Sequence, residues 1–86
     1  MNINYKLKDI IANIATRDID IKSINEETIL TADLGYDSVQ IISLIIELEN
    51  EFKILIDDDD LEIENLTVYK NIHKMIKEKI KESEIL

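Results

Sequence analysis

Hydrophobic residues recur with a different rhythm in each part of the chain. Ile3, Leu7, Ile10, Ile11 and Ile14 return at spacings of three and four, which predicts a first helix over about residues 4–16 with one buried stripe. Between residues 17 and 36 the rhythm fades. Ile19, Ile21, Ile24, Ile29 and Leu30 read as anchors of a long loop, a feature that is unusual in a small domain and often functional. A second helix then starts at a strong signal. Asp37 stands as N-cap with Gln40 three residues on, a variant of the capping box, so Ser38 takes the first helical position. Nothing interrupts that helix before about residue 52. Residues 53–56 (Lys-Ile-Leu-Ile) have no evident partner strand and read as loop. One short helical turn is expected within residues 57–64, with Leu61 pointing inward. Thr67 is expected to cap a last helix whose stripe is Val68, Ile72, Met75 or Ile76, and Ile80.

The second helix has apolar residues on two sides. At about 100° per residue, Ile41, Leu44, Ile45, Leu48 and Phe52 share one arc, enough to bury the helix against its neighbours. Val39, Ile42 and Ile46 lie within about 60° of one another on nearly the opposite side. A small bundle rarely buries a helix on both sides. Either the second stripe is partly exposed and rimmed by Glu47, Glu49 and Asn50, as docking patches are, or the 17–36 loop folds back over it.

Composition narrows the fold. The 86 residues suit one domain spanning 1–86, and the absence of cysteine excludes disulfides and a Cys-rich zinc site. No proline and a single glycine, Gly35, leave too little punctuation for an all-β fold. The expected architecture is all-α, an antiparallel four-helix bundle of three longer helices and one short, with the long loop between the first two. No apolar run is long enough to span a bilayer, and the N-terminus lacks a signal-peptide layout; a cytoplasmic location is expected, without membrane insertion.

Charge is unevenly distributed. The formal net charge is −9, yet residues 26–64 hold thirteen acids and one base, Lys53. That excess argues against nucleic acid as a partner. It fits either a solvated face or a docking surface for basic partners. The run Asp57-Asp58-Asp59-Asp60 lacks the alternating ligands, central glycine and terminal glutamate of a calcium loop, so no metal site is expected.

Ser38 alone stands where covalent chemistry is natural. A helix N-terminus has unpaired N–H groups and the positive end of the dipole, which favour an anion such as a phosphate ester. Taken alone, the Asp-Ser pair reads first as ordinary capping, since such caps occur throughout proteins. A self-contained serine hydrolase is excluded, because Tyr36 and Gln40 occupy the positions where a nucleophile elbow needs glycine. His73, the only histidine, reads as a surface residue on the lysine-rich last helix, and no enzyme activity is expected.

The segment Asp33-Leu34-Gly35-Tyr36-Asp37-Ser38-Val39, followed by Leu44, Leu48-Glu49-Asn50-Glu51-Phe52 and Ile56, closely resembles the acyl carrier protein family. Thr67-Val68 is similar to the start of that family's last helix. The resemblance implies that Ser38, supported by Asp37, receives 4′-phosphopantetheine from coenzyme A through a separate phosphopantetheinyl transferase. The arm's thiol would hold acyl, aminoacyl or polyketide intermediates for acyl-loading and synthase enzymes. It further implies that Val39, Ile42, Ile46, Glu47 and Glu49 form the surface those partners read, on a monomeric carrier. Val39 replaces the family's usual leucine, Tyr36 a smaller residue, and Asn65-Leu66-Thr67 stands where assembly-line carriers often have a proline. Fatty acid and specialised polyketide or peptide pathways both fit. The alternative is an acidic helical module that binds partners non-covalently through the same helix.

Overall fold

Asn2 opens the first helix, α1 (Ile3–Ile14), its side-chain oxygen accepting the Tyr5 N–H at 3.0 Å. The computed structural model describes residues 2–57 and 61–85, with side chains described as far as residue 82. α1 turns extended at Ala15, so it ends earlier than its periodicity predicts. At its last turn the carbonyls of Ile11 and Ile14 accept side-chain donors from Tyr36 and Gln40, which lie just before and within the first turn of another helix.

The connection that follows is not a plain loop. It contains a 3₁₀ turn (Ile21–Ser23) and a one-turn helix, α2 (Leu30–Asp33). Asp20 accepts the Lys22 N–H at 3.0 Å, and Asp33 reaches back to accept the Ile29 N–H at 2.8 Å. Such single turns are held by local side-chain hydrogen bonds and are too short to leave a helical period in the sequence.

α3 (Ser38–Phe52) begins and ends where the capping pattern and apolar run place it. Lys53 ends it in the left-handed conformation, φ 55°, with its N–H donating to the Glu49 carbonyl. Residues 53–56 form no strand, as expected. α4 (Ile63–Thr67) lies later than the expected turn, and the last three aspartates of the 57–60 run fall outside the described residues. Leu61 does not point inward but is 45% exposed, and Leu66 is buried instead.

Thr67 does not cap the last helix. Its hydroxyl donates to the Ile63 carbonyl at 2.8 Å within α4. Extended Val68 separates α4 from α5 (Tyr69–Ile85). The first N–H groups of α5 find acceptors in the long connection instead, Tyr69 donating to Thr28 O at 2.9 Å and Lys70 to Glu26 O at 3.1 Å. An isolated antiparallel bridge between Ile29 and Val68 lies beside them.

The described residues thus form three longer and two short α-helices, one short helix more than the hydrophobic pattern predicts. Leu7 and Ile11 of α1, Leu44, Leu48 and Phe52 of α3, and Tyr69, Ile72 and Ile76 of α5 meet in one core. Ile24, Leu30, Leu34, Tyr36 and Ile54 extend it from the connections. Met75 is buried with Ile76, whereas Val68 and Ile80 are half-buried. No helix among the described residues is long and apolar enough to cross a membrane.

Candidate functional site

The start of α3 is locked by its own side chains. Asp37 Oδ1 accepts the Gln40 N–H, and Gln40 Oε1 accepts the Asp37 N–H, both at 2.9 Å. This reciprocal box fixes the backbone on either side of Ser38. Just before it, Gly35 has φ +72°, and a Cβ there would stand 2.7 Å from Arg17 Nη2. Both the left-handed backbone and the guanidinium lying on it favour glycine.

Ser38 is exposed at the first position of this fifteen-residue helix. Its N–H and that of Val39 belong to the first turn, where no intrahelical acceptor exists. Within that turn there is no acidic side chain, and the Asp37 carboxylate at the N-cap is committed to the Gln40 N–H, which leaves the Ser38 and Val39 N–H groups outside the cap. An anion attached to Ser38 would therefore meet favourable N–H dipoles. A groove of about 340 Å³ opens beside the serine. It runs between α3 and α4, lined mainly by Ile41, Ile42, Ile45, Ile63 and Leu66, with Thr31 and Thr67 at its walls. The exposed hydroxyl, the helix start and the apolar trough suit a phosphate-linked chain with an apolar load.

No imidazole lines this groove. His73 is on α5, half-buried with its ring stacked on Tyr69 at 6.1 Å, not the plain surface residue expected. Burial, with the nearby Lys77 ammonium, lowers its pKa. Among the described residues no cluster of His, Asp and Glu is arranged to hold a metal ion.

The second stripe of α3 lies open. Val39 is 70% exposed, Ile42 57% and Ile46 52%, and the 17–36 connection does not cover them. Glu47 is exposed next to Ile46. Glu49 is half-buried, and its Oε2 accepts the Ile56 N–H at 3.0 Å, tying it to the 53–56 connection. A further groove between α1 and α3 places Ile46 and Glu47 beside Ile10 and Asn13.

Two contributions to the site escape sequence reasoning. Gln40 is a buried polar residue that donates from Nε2 to Ile14 O at 3.1 Å, besides its capping role. Tyr36 is buried too, and its hydroxyl donates to Ile11 O at 2.6 Å; burial raises its pKa. A signal for Gln40 exists: it stands four residues before Leu44 in the buried row Gln40, Leu44, Leu48, Phe52.

Residues 6–72 match the family model described as a phosphopantetheine attachment site. The chain is 42% identical over 62 residues to the acyl carrier protein of Desulforapulum autotrophicum, covering 72% of this chain and 79% of that one. It is 41% identical over 76 residues to the acyl carrier protein of Buchnera aphidicola, covering 88% and 92% respectively. Over 44 residues it is also 41% identical to the acyl carrier protein of Thermotoga maritima, covering 51% and 54%. The family match takes in most of α1, all of α2, α3 and α4, and the Asp37–Ser38 start with its groove, and by it the chain belongs to the phosphopantetheine attachment-site family of acyl carrier proteins.

Proposed function

We propose that Ser38 is the residue through which this chain carries acyl intermediates in biosynthesis. The family works by carriage and not by catalysis, and its cofactor is phosphopantetheine. When attached, 4′-phosphopantetheine supplies a terminal thiol that holds acyl groups as thioesters. The chain's own residues present and orient the point of attachment. Asp37 and Gln40 fix the first turn of α3, the free N–H groups of that turn favour the ester's negative charge, and the aliphatic groove takes apolar groups near the serine. The observation that carries this reading is the exposed Ser38 hydroxyl at the capped start of α3, within the segment the family matches.

The partners are a phosphopantetheinyl transferase and the enzymes that load and consume the acyl group. We assign their docking to Val39, Ile42 and Ile46 with Glu47, and with Glu49 at the edge. Support comes from the exposure of that apolar stripe beside Ser38 and from the acidic excess of residues 26–64, which attracts basic surfaces. The same reading has a monomer in the cytoplasm, its longer helices running as an antiparallel bundle. Incubation with a broad-specificity transferase and coenzyme A tests it. Intact mass should rise by one phosphopantetheine, and Ser38→Ala should abolish the gain. A wild-type chain left unmodified by several such transferases would favour a non-covalent interaction module.

A further inference from the structure

We propose that Tyr36 and Gln40 are positioning residues for Ser38, clamping the start of α3 to the end of α1 so that the hydroxyl is held in one place for esterification. The inference rests on the Ser38 reading above. The two residues flank the serine at equal distance in sequence, two before and two after. Both side chains are buried, and both donate to carbonyls of the same helix end, Tyr36 to Ile11 O at 2.6 Å and Gln40 to Ile14 O at 3.1 Å. Ile11 and Ile14 stand three residues apart, one turn of α1, so the clamp has two points on one rigid edge.

Gln40 divides its amide between two tasks. Its oxygen completes the capping box with Asp37, and its nitrogen reaches α1. An apolar residue at 40 would continue the buried row of Leu44, Leu48 and Phe52 without either bond. The cap by itself sets the local backbone but leaves the first turn free to shift relative to α1. The tethers remove that freedom, and Ser38 lies between them.

Placement matters because the groove holds no imidazole, and the Asp37 carboxylate at its edge is already engaged in the cap with the Gln40 N–H. In the transfer, Ser38 Oγ bonds to the pantetheine-bearing phosphorus of coenzyme A, and the bond from that phosphorus to the bridging oxygen breaks. The adenosine-bearing phosphate leaves, and the hydroxyl proton passes to a base of the transferase. A transferase seated on the α3 surface meets the hydroxyl wherever the first turn holds it, and a misplacement of about 1 Å costs up to about 100-fold in rate.

Tyr36→Phe removes one hydroxyl and keeps the ring. Gln40→Glu keeps an acceptor for the Asp37 N–H and loses the donor to Ile14 O. Each variant is assayed well below its melting temperature for transfer from coenzyme A, and its unmodified form for amide hydrogen exchange along α3. The clamp predicts that kcat falls about tenfold while KM for the carrier stays within about twofold. It also predicts faster exchange in the first turn of α3 and unchanged exchange from Leu44 onward. Lowered melting temperatures with unchanged kcat and unchanged first-turn exchange would overturn it, leaving only a structural role. Should Gln40→Glu fail to fold, Tyr36→Phe decides by the same readouts. Failure of wild type to be esterified would instead bring down the Ser38 reading and this inference with it.

Discussion

The Tyr69 hydroxyl, in the first turn of α5, meets Asn4 in the first turn of α1, where both the backbone and the side-chain oxygen of Asn4 lie within hydrogen-bonding reach. Tyr69 is the largest fully buried side chain of the core, and this contact spans 65 positions of sequence. Tyr69→Phe should cost about 1 kcal/mol, the usual net worth of such a bond, and Tyr69→Ala about 3–5 kcal/mol. Burial pushes the hydroxyl up to about 12 from its ordinary 10.0, so the folded state disfavours the phenolate. The stability this represents is present below pH 10 and is lost as pH rises from 10 toward 12. Urea melts of wild type and Tyr69→Phe across that window measure it; equal pH slopes in the two would contradict the assignment.

The two sides of α3 should respond oppositely to substitution. Ile46→Glu places a charge at an exposed position and should shift stability by less than about 0.5 kcal/mol. It should still weaken modification of Ser38 or binding of a partner synthase. Leu48→Ala empties a site that is 1% exposed and should cost about 2–5 kcal/mol. Its remaining folded fraction should present Ser38 normally. Circular dichroism melts beside transferase kinetics separate the cases, and a protein unfolded by Ile46→Glu but not by Leu48→Ala would place the docking surface on the wrong side.

Lys53→Gly should stabilise the protein. Lys53 is exposed with φ 55° and has a Cβ that the left-handed region penalises by about 1 kcal/mol, more than glycine loses in chain entropy at such helix ends. The Lys53 and Ile54 N–H groups both donate to Glu49 O, so the turn itself would be kept. A melting temperature raised by a few degrees, with Ser38 modification unchanged, is the expected result. A lower melting temperature would mean that the lysine stem contributes more than its backbone costs.

Added salt or millimolar magnesium should raise the melting temperature. Thirteen acids share residues 26–64 with one base. The ion pairs Lys6–Glu51 (3.2 Å) and Lys79–Asp57 (3.0 Å) bring in lysines from outside that block and relieve only part of its repulsion. An unchanged or lowered melting temperature in salt would show that repulsion is not what limits stability.

The elements legible in the sequence are those with a long period or a strong cap. α3 is plain from Asp37 and Gln40 to Phe52, and the same wheel gives the second stripe of Val39, Ile42 and Ile46, whose exposure depends on where the 17–36 connection lies. What escaped is either too short to carry a period or made by contacts distant in sequence. α2 is one turn held by the Asp33 carboxylate. Thr67 resembles an N-cap, but the donors it would serve already reach Thr28 and Glu26, which no local pattern reveals. At the candidate site, the position of Ser38 is local and readable. The reach of Tyr36 and Gln40 to α1 depends on two helices lying side by side.

The pairing of Thr28 and Glu26 carbonyls with the first amides of α5 bears on how the chain reaches its fold. Starting a helix is the unfavourable step, and here the groups that ease it arrive from a connection about forty residues upstream. The first turn of α5 is therefore expected to fray when the segment before α3 is displaced. Folding is expected to be all-or-none, with no stable fragment that keeps α5 and lacks the connection. A single proteolytic cut near residue 27 should loosen the first turn of α5 as well as the loop that was cut.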